Sequence, residues 1–233
     1  MLVEEQSRAL RQISIFRDAA QTTLGRAAAL SRWQRHAHGA MILSYQDAST
    51  DIFFIIEGSV RAIIYAPDGR ALLFRDMGKN EIFGEIAAID RGPRSASIEA
   101  LQPTLLAVMS AADFDQVLRQ DSEVVSATMR LLTSRIRVLS ERVYEFRAFA
   151  VRNRIHAELF RLAKASGGGQ GEIALSPAPT LAEIADRVST HREAVSRELS
   201  RLGSLGLLAR EGGTLRITDV SRLADLVREA RGD

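Results

Sequence analysis

Two short stretches of this 233-residue chain gather side chains able to do chemistry together. The first is Phe83-Gly84-Glu85-Ile86-Ala87-Ala88-Ile89, followed closely by Gly92-Pro93-Arg94-Ser95-Ala96. Gly84 has no Cβ and lets backbone approach a ligand closely. Residues 84 to 90 are predicted to form a helical turn, whose first free N–H groups favour an anion. Arg94 offers a planar fork of donors matched to phosphate oxygens, and Ser95 adds a hydroxyl and a backbone N–H. Glu85 can accept hydrogen bonds from sugar hydroxyls, as acidic residues do in dinucleotide sites. Together they describe a pocket for a phosphate joined to a ribose.

The second stretch lies near the other end. Arg192, Glu193, Ser196 and Arg197 fall at i, i+1, i+4 and i+5, one exposed face of a predicted helix. Arginine pairs bidentately with guanine, and a carboxylate accepts from the cytosine amino group, so this face can read a DNA major groove. Thr190 and His191, just before it, suit the phosphate backbone better than a base.

These residues need elements to hold them. Between residues 31 and 109, short apolar runs are cut by turn signals: Ile52–Ile56 ends at Glu57-Gly58, and Val60–Tyr65 ends at Pro67-Asp68-Gly69 before Ala71–Phe74. Runs at this spacing predict an antiparallel sandwich or roll, with a hairpin at Pro-Asp-Gly. Short amphipathic helices before residue 31 are expected to pack on it. From about Ser122 to Phe149 no Gly or Pro interrupts a long helix of roughly 40 Å. Val125, Met129, Leu132, Ile136, Leu139, Val143 and Phe146 recur at alternating steps of four and three, a heptad seam expected to join two parallel copies. A helix over Arg154–Lys164 and a loop, Ser166-Gly167-Gly168-Gly169-Gln170-Gly171, follow. Thr180-Leu181-Ala182-Glu183 reads as a capping box, and Thr190-His191-Arg192-Glu193 as a second. Leu181, Ile184, Ala185 and Val188 would line one helix, and Val195, Leu199 and Leu202 the next. Two short helices across a tight Ser189-Thr190 turn outline a helix-turn-helix. Leu207–Arg210 and Thr214–Ile217 around Glu211-Gly212-Gly213 complete it as a wing.

The fold expected is α+β: an antiparallel β-roll over 1–121, a long dimerisation helix over 122–149, and a winged helix-turn-helix domain over 150–233. With 46% hydrophobic and 26% charged residues the chain can bury a core beneath an ordinary surface. Having no cysteine, it cannot hold a disulfide, a thiol nucleophile or a cysteine-ligated iron–sulfur cluster. The four histidines are His36, His38, His156 and His191. His36 and His38 alternate along one expected strand without a third ligand nearby, so neither metal nor haem is expected. No nucleophile–base pair or catalytic carboxylate pair stands out, which argues against an enzyme. No apolar run approaches the ~20 residues of a membrane span, and Met1-Leu2-Val3-Glu4-Glu5 lacks a basic leader. A cytoplasmic protein without a membrane partner is expected.

The Phe83–Ala96 stretch resembles the phosphate-binding cassette of cyclic-nucleotide-binding domains. The order of roll, long helix and helix-turn-helix resembles the CRP/FNR family of bacterial transcription regulators over nearly the whole chain. That resemblance implies Glu85 on the ribose 2′-hydroxyl, Arg94 and Ser95 on the cyclic phosphate, and backbone from Gly84 and Ile86. Val138-Leu139-Ser140-Glu141-Arg142-Val143 is similar to the Val-Thr-Ser-Glu-Lys-Val with which the family's cAMP-binding members meet the base across the dimer. Ser140 keeps its hydroxyl, but Leu139 replaces the threonine that meets the adenine amino group, and leucine cannot hydrogen-bond a base edge. Weak base discrimination is therefore expected, with cAMP first and cGMP second as effector. Arg192–Arg197 is similar to the family's recognition helix, Arg-Glu-x-x-x-Arg, and carries the Glu-x-x-Ser-Arg of its oxygen-sensing branch. The resemblance implies a homodimer on palindromic, TGTGA-like double-stranded DNA, acting on RNA polymerase. A ligand-independent DNA-binding regulator with a vestigial pocket is the alternative.

Overall fold

Ile52–Ile56 is apolar at every position because both faces of its strand are covered. Phe53 and Ile55 point into one buried cluster, and Ile52, Phe54 and Ile56 into another. The computed structural model describes residues 3–65, 71–169 and 171–232. The chain divides into two compact units, Met1–Arg137 and Val138–Asp233.

The first unit opens with α1 (Val3–Arg11), a 3-10 turn (Ser14–Phe16) and α2 (Gln21–Leu30). The strands that follow are β1 (Arg32–His36), β2 (Met41–Leu43), β3 (Ile52–Glu57), β4 (Ser59–Tyr65), β5 (Ala71–Gly78) and β6 (Ile82–Phe83). Then come α3 (Glu85–Asp90), β7 (Ser97–Ala100), β8 (Thr104–Met109), α4 (Ala111–Gln120) and α5 (Ser122–Ala148), which belongs to the first unit up to Arg137 and to the second from Val138. The strands pair antiparallel in two four-stranded sheets, ordered β1-β8-β3-β6 and β2-β7-β4-β5. Ile55, Leu106 and Val108 from one sheet and Val60, Met77 and Ile98 from the other share one core. The outer face of the first sheet is roofed by Leu10, Phe16 and Leu24 from the N-terminal segment and Phe114 and Val117 from α4. β4 and β5 pair from Tyr65–Ala71 down to Ser59–Gly78; the Pro67-Asp68-Gly69 turn expected between them lies outside the described residues.

Along α5, Val124 and Thr128 are buried, and Ala127 and Leu131 pack partly against the roofed core. The expected seam is a different stripe: Met129 and Ile136 are each 63% exposed, and Leu139, Val143 and Phe146 are also exposed. Asp121 anchors the start of the helix. Its carboxylate accepts from the N–H groups of Glu123, Val124 and, from across the roof, Ala20.

The second unit contains α6 (Val151–Ala165), β9 (Ile173–Leu175), α7 (Leu181–Arg187), α8 (Arg192–Ser204), β10 (Leu208–Glu211), β11 (Thr214–Ile217) and α9 (Val220–Arg231). Its sheet runs β10-β11-β9, all antiparallel. Ile155 and Leu159, Ile184 and Val188, and Val195 and Leu202 give α6, α7 and α8 a shared core. In the loop after α6, Gln170 lies outside the described residues. Among the described residues no helix is long and apolar enough to cross a membrane.

Two local expectations are corrected. The Thr180–Glu183 capping box forms in full, but the one expected at Thr190–Glu193 does not: α8 starts at Arg192, with His191 in the cap position and no side-chain cap bond. The cause lies at the end of α7. Ser189 turns to φ 48°, and the Thr190 N–H closes back on the Ala185 carbonyl. That makes Thr190 part of the preceding helix's closure, so Glu193 falls one place short of the reciprocal position. The second correction is at β1, which ends at His36; His38 lies beyond it and does not alternate with His36 along a strand.

Candidate functional site

Gly84 follows β6 directly and caps α3 at φ 79°. A Cβ there would stand 2.8 Å from both Arg94 Nη1 and the Asp51 carbonyl and 3.1 Å from the Phe53 ring. Left-handed backbone and close approach together demand glycine. The turn it makes drives Glu85 inward, to 4% exposure.

Arg94 is a fully buried arginine, 2% exposed. Its backbone N–H donates to the Asp47 carbonyl at 2.8 Å, and its own carbonyl accepts from Gln46 N–H at 3.0 Å. Nε donates to Ser49 Oγ at 3.0 Å and Nη1 to the Gly84 carbonyl at 3.2 Å. The guanidinium lies over the Phe53 ring, 5.6 Å from its centroid, and Phe53 stacks on Phe83 at 4.7 Å. Nη2 is buried without a hydrogen-bond partner. Burial lowers the pKa of the group, opposed by the charges of Asp51, Asp47 and Glu85; an arginine remains cationic regardless. A buried cation with one donor direction open is suited to receive an anionic oxygen.

Glu85 meets Arg135 of α5, whose Nη1 pairs with Oε1 and whose Nη2 donates to the Ile82 carbonyl at 2.8 Å. Sequence reasoning missed Arg135. The available signal was its place one helical turn before Leu139 and Ser140 on the same helix. Gly84, Glu85 and Arg94 are thus brought together, while Ile86 and Ser95 stand at the surface beside them. Leu139 and Ser140 lie in the second unit, both exposed on α5.

On α8, Arg192, Glu193, Ser196 and Arg197 are all exposed, as is His191, and Thr190 is half-buried. Arg192 Nε pairs with Glu193 at 3.1 Å, a solvent-exposed contact worth little. The opposite face of α8 is buried through Val195, Glu198 and Leu202. Arg210 on the wing donates to the Pro179 carbonyl at 3.1 Å, tying β10 to the segment before α7. Among the described residues no group of three or more His, Asp or Glu could hold a metal ion.

Residues 33–121 match the cyclic nucleotide-binding domain and residues 153–226 the Crp-like helix-turn-helix domain. A CRP-like cAMP-activated global transcriptional regulator of Mycobacterium tuberculosis is 27% identical over 191 residues, 82% of this chain and 85% of that protein. The cyclic AMP receptor protein of Thermus thermophilus is 27% identical over 200 residues, 85% of this chain and 90% of its own. In fold, the chain is similar to the c-di-GMP-responsive regulator CLP of Xanthomonas campestris, with a TM-score of 0.72 at 24% identity over 85% of this chain and 99% of that one. The roll and the winged helix-turn-helix are each matched, so the chain carries a cyclic nucleotide-binding domain joined to a Crp-like helix-turn-helix domain, the two domains of a cyclic-nucleotide-binding, DNA-binding transcription regulator.

Proposed function

We propose that this protein is a homodimeric regulator whose DNA binding is controlled by a cyclic nucleotide, cAMP in the first place and cGMP in the second. The observation that carries the reading is the open Nη2 of buried Arg94 beside buried Glu85. In this reading Arg94 and Ser95 take the cyclic phosphate, Glu85 the ribose 2′-hydroxyl, and Gly84 and Ile86 supply backbone. Leu139 packs on the base and Ser140 offers it a hydroxyl. Arg135 holds the Glu85 carboxylate in place for the sugar. The ligand domain is assigned to 1–121, the dimerisation helix to 122–149 and the DNA-binding domain to 150–233, with a hinge at Phe149–Asn153. Exposure of Met129, Ile136, Leu139, Val143 and Phe146 on one stripe of α5 supports a second copy packing there.

On DNA, Arg192 and Arg197 read guanines and Glu193 the cytosine opposite, within symmetric TGTGA-like half-sites about one helical turn apart. Ser196 adds a contact, and Thr190 and His191 touch phosphate. RNA polymerase is the partner through which bound protein alters transcription. A ligand shifts such an equilibrium only by its differential affinity for the two states, so operator DNA should tighten nucleotide binding by the factor that nucleotide tightens DNA binding.

The pairing of Glu85 with Arg135 favours one second reading, a pocket closed upon itself and DNA binding without ligand. Calorimetric titration of the full chain with cAMP and with cGMP, with and without operator duplex, separates the two. The proposal expects binding of both nucleotides, with a modest preference, tightened by operator. No heat with either nucleotide, together with an undiminished operator shift, would establish the second reading.

A further inference from the structure

Behind the exposed face of α8 lies a buried ionisable cluster that the functions assigned so far do not use. His156 of α6 is 2% exposed, and its Nε2 sits 2.5 Å from Oε1 of Glu198 on α8. Glu198 is buried too. Arg201, one turn further along α8, donates to the same carboxylate, from Nη2 to Oε1 at 2.6 Å and from Nε to Oε2 at 3.0 Å. Facing a carboxylate that only accepts, Nε2 carries the imidazole proton. Arg201 Nη2 also lies 3.4 Å from Nε2, but a protonated nitrogen cannot accept from it. His156 Nδ1 is buried without a hydrogen-bond partner. A bare lone pair there costs less than an orphaned cationic N–H would. Burial accordingly holds the imidazole pKa down, against the pull of Glu198.

Besides Arg201, the charge of Arg152 bears on the imidazole, and the remaining seat of α8 is made of apolar side chains. Val195 and Leu202 bury α8 from the same side, and apolar contacts set no rotational angle by themselves, because they are non-directional. A short hydrogen bond between two buried groups does fix one. Glu198 is the residue after Arg197 and sits on the opposite face of the helix, so rotation that moved Glu198 off His156 would swing Arg197 with it.

We infer that His156 is a positioning residue for DNA reading: through Glu198 it sets the rotation of α8 and hence the aim of Arg192, Glu193 and Arg197 at the base edges. The inference rests on α8 being the helix that reads DNA. A substitution that only destabilised the unit would lower binding to all DNA alike. Loss of aim lowers the preference for the right sequence and leaves phosphate-dominated binding intact.

The test uses the full chain saturated with cAMP and compares a duplex carrying symmetric TGTGA half-sites with a scrambled duplex of equal length. His156→Leu removes the donor and strands the Glu198 charge, so it can also unfold the unit. The double variant His156→Leu/Glu198→Leu removes both polar groups and leaves no buried orphan, since Arg201 is substantially solvent-exposed. His156→Gln restores a neutral donor. The double variant should fold, bind the scrambled duplex with unchanged affinity and salt slope, and lose about tenfold in its preference for the TGTGA duplex, the scale of one bidentate base contact. His156→Gln should recover most of that preference. An unchanged preference ratio in the double variant, or an equal loss on both duplexes, would overturn the inference. Arg197→Ala, run alongside, keeps the two ideas apart. If Arg197→Ala loses preference while the double variant does not, α8 reads DNA but His156 does not aim it. If wild type itself shows no preference, the half-site assignment has failed.

Discussion

Arg94 in the first unit is buried, held by Ser49 and the Gly84 carbonyl and stacked on Phe53; Arg192 and Arg197 in the second stand in solvent on an exposed helical face. A buried, fixed guanidinium has already surrendered its side-chain freedom, roughly 2 kcal/mol for a long cation, and it meets its anion in a medium where charge is poorly screened. An exposed arginine keeps that freedom until DNA arrives and then loses it. The pocket gains affinity by holding its own side chains still. The exposed α8 face proposed to read DNA is ordered from behind, through the backbone of α8 and the residues that seat it. Each half therefore breaks in a different way when its arginine is removed.

The largest effect is expected in the pocket. Arg94→Ala takes away a charge-assisted donor and also the partner of Ser49 and Gly84. Nucleotide affinity should fall by at least ~1.5–3 kcal/mol, the range for hydrogen bonds to charged groups. Calorimetry with cAMP and cGMP checks this, and unchanged affinity would break the assignment of the open Nη2 as the phosphate donor.

Arg197→Ala should cost roughly 1–3 kcal/mol on operator and relax preference at a single base pair. Binding by selected and scrambled duplexes across a salt series gives the measure. A loss that is uniform over sequences, with a flatter salt slope, would turn Arg197 into a backbone clamp and erase the contrast with a pocket of directed contacts.

How far the sequence shows these two regions follows the same contrast. Strands such as Ile52–Ile56 are legible because apolar composition and burial go together. The Gly84 turn is legible because only one residue type tolerates its backbone and its neighbours. The exposed α8 face is legible from periodicity, since Val195 and Leu202 mark the opposite side. Buried charge is not legible. Arg135, Glu198 and His156 look in sequence like members of polar faces, as do Glu145 and Glu158, yet Arg161 binds both carboxylates in the interior of the second unit, at 2.8 and 2.9 Å. Which arginines and glutamates go inside depends on partners from other elements, and residue type does not encode that. The Thr190–Glu193 box failed for a similar reason: its motif was present, but the backbone had already been claimed by the end of α7.

Asp121 tests the fixed half by a route that leaves the pocket untouched. Burial alone would raise its pKa, but the Ala20, Glu123 and Val124 N–H groups and the Thr23 side chain outweigh that and hold the carboxyl below its usual value. A depressed carboxylate contributes stability above its unfolded pKa and loses it as pH falls through the folded one. Asp121→Ala should cost about 1 kcal/mol at neutral pH, as loss of a helix N-cap does. The gap between wild type and variant should begin to narrow near pH 4, where the unfolded carboxyl titrates, and close only below the lower folded value. Denaturant titrations at several pH values measure it, and a gap that stayed constant into acid would show that charge plays no part in the cap.

The smallest effect is expected at the turn between α7 and α8, where Ser189 carries backbone strain of the kind that Gly84 avoids. Position 84 meets its left-handed angle with glycine, whereas the turn before α8 meets φ 48° with Ser189. A non-glycine residue in that region costs roughly 1–2 kcal/mol. Glycine would relieve the strain but give back part of it through a freer unfolded chain, by about 0.4–1 kcal/mol. Ser189 is exposed, so its hydroxyl has little packing to lose. The difference predicts that Ser189→Gly stabilises the protein by about 0.5 kcal/mol, visible as a small rise in the melting temperature. Its operator preference should not change, because the angle adopted is the same and His156 still meets Glu198. A fall in preference at raised stability would show that the serine itself touches DNA, and would move the start of the reading face from Thr190 back into the turn.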